Sequence, residues 1–203
     1  MDKKQFGVTA LLIFLLCGCV TLGKKFNYEH VSSLRLGALS RNECREAFGA
    51  PYRASSEKNL DGSFEKLVYY FSNSNIFDSL STRTLHLEFK DEMLNAYDYV
   101  SSFDKDKTKV TIEGIDKIKI GQSSKTDALK LLGEPTGKAL CPTTLYSLKD
   151  KCENGGEMWV WRQNSKFSIY NPEAENKTEI YLIFDKNSMV VDINTYKSTP
   201  EAK

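Results

Sequence analysis

Residues 34–51 read LRLGALSRNECREAFGAP, and residues 118–135 read IKIGQSSKTDALKLLGEP. A constant offset of 84 places Leu36-Gly37 on Ile120-Gly121, Ser40 on Ser124, Glu43 on Asp127, Phe48-Gly49 on Leu132-Gly133 and Pro51 on Pro135. Self-similarity at a fixed spacing is a statement about architecture, so it is read before any single motif. Each copy carries the marks of one short helix. Ser40 and Ser124 are N-cap residues, and Glu43 and Asp127, three positions on, supply the acidic half of a capping box. Cys44, Ala47 and Phe48, like Ala128, Leu131 and Leu132, fall on one helical face. Gly49 and Gly133 permit a left-handed stop, and a proline two residues later prevents continuation.

Outward from each helix the period changes from helical to alternating. FEKLVYYF (64–71) and RTLHLEFKDEMLNAYDYV (83–100) give three strands in the first half. Leu85, Leu87 and Phe89 alternate with His86, Glu88 and Lys90, the pattern of a half-buried strand. In the second half EMWVWRQ (157–163) and EIYLIFDKNSMVVDINTY (179–196) repeat the plan, with Ile180, Leu182 and Phe184 as the apolar triplet. The expected fold is α+β: two tandem repeats, each a short helical element packed on an antiparallel three-stranded meander. Asp104 to Lys107 read as a charged joint between them.

The amino end has another character. Lys3 and Lys4 precede an apolar run from Val8 to Leu16, too short for a bilayer, which needs about 20 residues. The run ends Leu16-Cys17-Gly18-Cys19 and resembles the bacterial lipobox. That resemblance implies cleavage after residue 18 and a thioether from Cys19 to diacylglycerol, with two or three acyl chains as anchor. Position 20 is Val rather than Asp, which by the same resemblance implies the periplasmic face of the outer membrane. The expected organisation is a signal at 1–18, the lipidated Cys19 and a tether at 19–30, a first repeat at 31–103, a linker at 104–117, a second repeat at 118–198 and a tail at 199–203.

The formal charge of the 203 residues is +1, and loss of residues 1–18, with one Asp and two Lys, brings it to zero. No net field favours nucleic acid. In an oxidising compartment Cys141 and Cys152 can form a disulfide, leaving Cys44 as a buried structural thiol. Three scattered cysteines with His30 and His86 have no zinc-site spacing, so no metal is expected. There is no nucleophile elbow, phosphate loop or dinucleotide fingerprint, and neither an enzyme nor a cofactor is expected.

IKIGQSSKTDALKLLGEPTG, GEMWVWRQ and EIYLIFDKNSMVVDI together resemble the SmpA/OmlA (BamE) domain, with a looser copy in the first half. The two cover about 150 of the 203 residues. In tandem they also resemble the β-lactamase-inhibitory-protein fold. These resemblances imply a small outer-membrane lipoprotein that acts by protein–protein contact, as an accessory in envelope or outer-membrane protein assembly. The alternative is an inhibitor or sensor of an envelope enzyme or glycan. Alternation puts Trp159 and Trp161 on one side of their strand, and Tyr181 and Ile183 on the side of theirs opposite the apolar triplet. A face made of Trp159, Trp161, Tyr181 and Ile183, with Tyr70 in the first repeat, is the expected partner-binding surface.

Overall fold

Both helices form where their capping residues place them. In the computed structural model, which describes residues 20–74, 80–103, 106, 112–146, 148, 151–152, 155–164 and 177–198, α1 runs Arg41–Phe48 and α2 Lys125–Leu132. Ser40 Oγ accepts from the Glu43 amide while the Glu43 carboxylate accepts from the Ser40 amide, and Ser124 and Asp127 do the same. Gly49 and Gly133 end the helices at φ 79°, ψ −157° and φ 80°, ψ −167°. This region is close to glycine-only, whereas the sequence pointed to the ordinary left-handed cap. Gly49 has nothing within 4 Å of where a Cβ would sit. Gly49→Ala is therefore expected to lower stability by about 1–3 kcal/mol through backbone strain alone, a loss readable from its urea midpoint.

Among the described residues nine strands accompany them: β1 (Val20–Gly23), β2 (Arg53–Asn59), β3 (Gly62–Ser74), β4 (Ser81–Lys90), β5 (Met93–Ser101), β6 (Gly137–Leu140), β7 (Glu157–Asn164), β8 (Lys177–Phe184) and β9 (Val190–Ser198). All join one antiparallel sheet in the order β1-β3-β4-β5-β6-β7-β8-β9, with β2 on the same edge of β3 as β1. This overturns the α+β expectation of two helix-on-three-strand meanders. The molecule is predominantly β, and its helical elements are short pieces laid on a continuous sheet. The seam is β6, which pairs Ala96 with Ala139 on one edge and Ala139 with Met158 on the other. The strands missed from sequence are β1, β2 and β6. β2 reads RASSEKN and is wet along nearly its whole length, so it offers no alternation to detect.

The 84-residue echo survives as local geometry within that sheet. The Gly37 amide donates to Leu94 O and the Gly121 amide to Val190 O, both at 2.8 Å. Arg41 N donates to Glu92 O and Lys125 N to Ser188 O. Each half has a register shift near the end of its central hairpin, at Glu88/Phe89 and at Ile183/Phe184.

Beneath α1 lie Leu67, Tyr69, Leu85, Leu87 and Phe89 with Cys44 and Phe48; beneath α2 lie Trp159, Trp161, Ile180, Leu182 and Phe184 with Ala128 and Leu132. Burial, with the Glu43 charge next, pushes the Cys44 thiol up to about 11, so it is an inert core group. A third cluster occupies the opposite, loop-covered face: Ala96, Ala139, Met158, Val160, Tyr181 and Ile183, under Cys141, Tyr146 and Cys152. The stretch expected as a tether is instead built in from Val20 onward, as β1, a buried Phe26 and a 3-10 turn at Tyr28–Ser33. Cys19 and residues 199–203 lie outside the described residues.

Candidate functional site

The helices cover the two ends of one sheet face and leave its middle open. There the floor is a cross-strand row, since β5 places Tyr97 opposite Lys138 and β6 places Lys138 opposite Trp159. Residues directly opposite in antiparallel strands share a face. The walls are the segment from Tyr28 to Leu36 on one side and Glu134 to Thr136 on the other. Together they enclose a groove of about 980 Å³.

Charge in this groove is paired but not spent. Lys138 Nζ lies 4.5 Å from the Trp159 ring centre and 3.9 Å from Glu134 Oε2. Burial pulls the Lys138 pKa below its ordinary value, opposed by Glu134 and Glu157. The Trp159 indole N–H donates to Glu157 Oε2 at 2.9 Å, and Lys125 Nζ sits 2.7 Å from Glu157 Oε1. Arg35 stands exposed on the wall, its guanidinium donating to Ser32 O and Leu34 O.

One end of the groove is closed by a denser cluster. Asp106 accepts hydrogen bonds from Arg83, from Tyr99 OH at 3.0 Å and from Ser101 Oγ at 2.7 Å. The Arg83 guanidinium is held between the Tyr28 ring, 4.0 Å away, and the Phe103 ring, 4.3 Å away. An aromatic floor with a half-buried ammonium and acids on its rims can grip a chain segment carrying apolar and charged side chains. Among the described residues it brings together no nucleophile with a base.

The opposite face is polar where the loop crosses it. Glu88 is fully buried and accepts from Asn95 Nδ2, Thr143 Oγ1, Thr144 N and Thr144 Oγ1. Arg162 pairs with Asp98 and, at 2.9 Å, with Glu179, and donates to Tyr181 OH. Burial raises the Asp98 carboxyl above its ordinary range in spite of the Arg162 charge. His86, placed by alternation on the polar side of its strand, lies opposite Asp98, and burial lowers its pKa.

The residues proposed from sequence are dispersed by this arrangement. Trp159 lies opposite Leu182 and Trp161 opposite Ile180, so both tryptophans join the helix-side core; Tyr181 and Ile183 lie opposite Val160 and Met158 on the other face. The expected aromatic surface of Trp159, Trp161, Tyr181 and Ile183 therefore does not exist. Alternation within each strand was legible, but which sides align depends on register, which alternation does not carry. Trp161 is wholly buried with its indole N–H on Gly133 O at 2.9 Å, while Trp159 contributes to the groove floor. Tyr181 packs edge-on to Tyr146 with ring centres 6.1 Å apart. Tyr70 is half-buried and tilts against Tyr52 at 5.7 Å. Cys141 and Cys152 are joined in a disulfide with Cα atoms 5.5 Å apart. The sequence reading missed Arg35, Tyr97, Glu134, Lys138 and Glu157. Of these only Tyr97, alternating with Tyr99 in NAYDYV, left a periodic signal.

No protein-family model and no curated protein matches the chain. The SmpA/OmlA resemblance accordingly rests on the sequence motifs alone. Among solved structures the fold resembles a candidate β-lactamase inhibitor protein from Streptococcus mutans, with 13% identity, a TM-score of 0.48 and coverage of 85% of this chain and 98% of that one. A likeness this weak is one of general shape and carries no functional argument.

Proposed function

We propose that the chain is a non-catalytic binding protein of the bacterial envelope that holds a segment of a partner protein in the groove over β5, β6 and β7. The observation that carries this reading is the groove of about 980 Å³ between two helix-covered ends, laid over buried Tyr97 and Trp159 and half-buried Lys138 and rimmed by Arg35, Glu134 and Glu157. A concave surface with an apolar floor and charges at its border is the composition of surfaces that bind proteins. The resemblance of Leu16 to Cys19 to a lipobox supports attachment to a membrane through Cys19, and Val20 after it supports the periplasmic face of the outer membrane. On this reading the partner is an envelope protein, and the role is scaffolding or assembly. If the partner is an envelope enzyme, the same groove makes the chain its inhibitor or sensor.

Photo-crosslinkers placed in the full-length chain in living cells test this. With the probe at Arg35 or Glu134, both exposed on the groove rim, the expected result is adducts to the same one or few envelope proteins. A probe at Lys58, on the wet β2, should not give them. Equal adducts at all three positions, or none at the rim, would remove the groove as the binding site. Activity assays on any captured hydrolase then separate inhibitor from scaffold.

A further inference from the structure

We infer that the edge of the sheet formed by β1 and the start of β2 rests on the phospholipid headgroup layer and fixes the body's orientation over the membrane. This rests on the proposed lipidation of Cys19. A tether of the expected length would let the body roam by a distance on the order of 20 Å. No such slack follows Val20. β1 is paired with β3 from Val20↔Ser74 to Gly23↔Phe71, and the Lys24 amide donates to Tyr70 O at 3.0 Å. Gly23 lies so close to the partner strand that an added Cβ would clash with Tyr70 O. Phe26 then enters the core beside Phe48 and Tyr69. Adjacent Cα atoms are about 3.8 Å apart, so an acylated Cys19 has one peptide unit of freedom before the sheet begins.

The surface at that edge suits the same occupant. Leu22 and Tyr52 are among the exposed large apolar residues, at 54% and 55%. Lys24, Lys25 and Arg53 are exposed beside them. Residues 20–28 and 49–56 contain these three cations and no Asp or Glu. A cleft of about 110 Å³ opens among Lys24, Lys25, Tyr52 and Tyr70. An exposed aliphatic and an aromatic side chain bordered by basic residues is an interfacial composition, matched in charge to phosphate headgroups. Four strand steps separate β1 from β6 along the sheet, so the groove stands at a fixed height of about 19 Å from this edge. Tyr70, expected from the sequence to touch a partner protein, belongs on this reading to the membrane side.

The mature protein is purified from host membranes, the mass of its amino end is measured, and it is reconstituted in phosphatidylethanolamine vesicles containing phosphatidylglycerol. Nitroxide labels on Ala54→Cys, at the start of β2, and on Lys197→Cys, in β9, report contact with membrane-dissolved oxygen against an aqueous nickel chelate. The expected result is a several-fold higher oxygen preference at 54 than at 197, abolished by combining Lys24→Glu, Lys25→Glu and Arg53→Glu. An acylated protein with both labels equally in water keeps its anchor and overturns the docked edge. A mature chain without acyl groups overturns the anchor; if 54 is also in water, both fall, and if 54 remains shielded, the edge binds lipid on its own.

Discussion

Asp106→Ala is expected to destabilise the protein by about 3–5 kcal/mol, the range for removing one partner of a buried ion pair. Arg83 and Asp106 have side-chain exposures of 2% and 0%, and the substitution leaves the guanidinium charged between Tyr28 and Phe103 without this counter-ion. The Tyr99 and Ser101 hydroxyls lose their acceptor as well. Combining Asp106→Ala with Arg83→Met should restore part of the loss, because an apolar replacement of both partners removes the uncompensated charge. Urea midpoints of the two singles and the double measure this, and a loss below about 1 kcal/mol for Asp106→Ala would mean the pair is solvated. The pH dependence has a definite sign. Burial alone would raise the Asp106 carboxyl, but hydrogen bonds from Arg83, Ser101 and Tyr99 and the Arg83 charge outweigh it and hold the pKa below the ordinary aspartate value. A depressed carboxylate stabilises the fold above the unfolded-state pKa, and that contribution fades as pH falls towards the folded one. Wild type should therefore lose stability on acidification below the usual aspartate range, and Asp106→Asn should lose less over the same interval.

What could be read without coordinates follows from how far apart the interacting groups lie in sequence. The capping boxes at Ser40/Glu43 and Ser124/Asp127 are three-residue events, and they appear where their letters stand. The alternation of Leu85, Leu87 and Phe89 is also local. Asp106 was read as one charge in a charged joint because its partner Arg83 is 23 residues away, on a strand read from its alternation as half-buried. The same limit dissolved the aromatic face, since the pairings of Trp159 with Leu182 and Trp161 with Ile180 are facts of register. The groove is less legible still. It arises from a gap between two helices plus a four-residue strand, GKAL, with too little sequence to carry a period.

Glu88→Ala should cost about 3 kcal/mol or more, and its effect should not add to that of breaking the disulfide. In sequence Glu88 is the polar residue between Leu87 and Phe89; in the fold it is fully buried under the loop that Cys141 and Cys152 close. Its carboxylate accepts four hydrogen bonds, three of them from Thr143 and Thr144 in that loop, at 2.6–2.9 Å. Alanine leaves those donors and Asn95 Nδ2 without this acceptor in a dry place, and each unsatisfied buried group costs about 1–3 kcal/mol. Glu88→Gln keeps the shape but turns an amide donor towards a donor, so it should fall between alanine and wild type. The disulfide holds the same loop by limiting its freedom when unfolded, worth roughly 3 kcal/mol for a loop of this size. With Glu88 present, reduction should leave the loop seated through Thr143 and Thr144, with Lys66 donating to Thr144 O at 3.0 Å. With alanine present, reduction should release it and expose Ala96, Ala139, Met158, Val160 and Ile183. An apolar dye and amide exchange at Thr144 report that release, expected only when both restraints are gone. Dye binding by Glu88→Ala with its disulfide intact would show that the carboxylate alone seats the loop, and its absence in the reduced variant would show that apolar packing suffices.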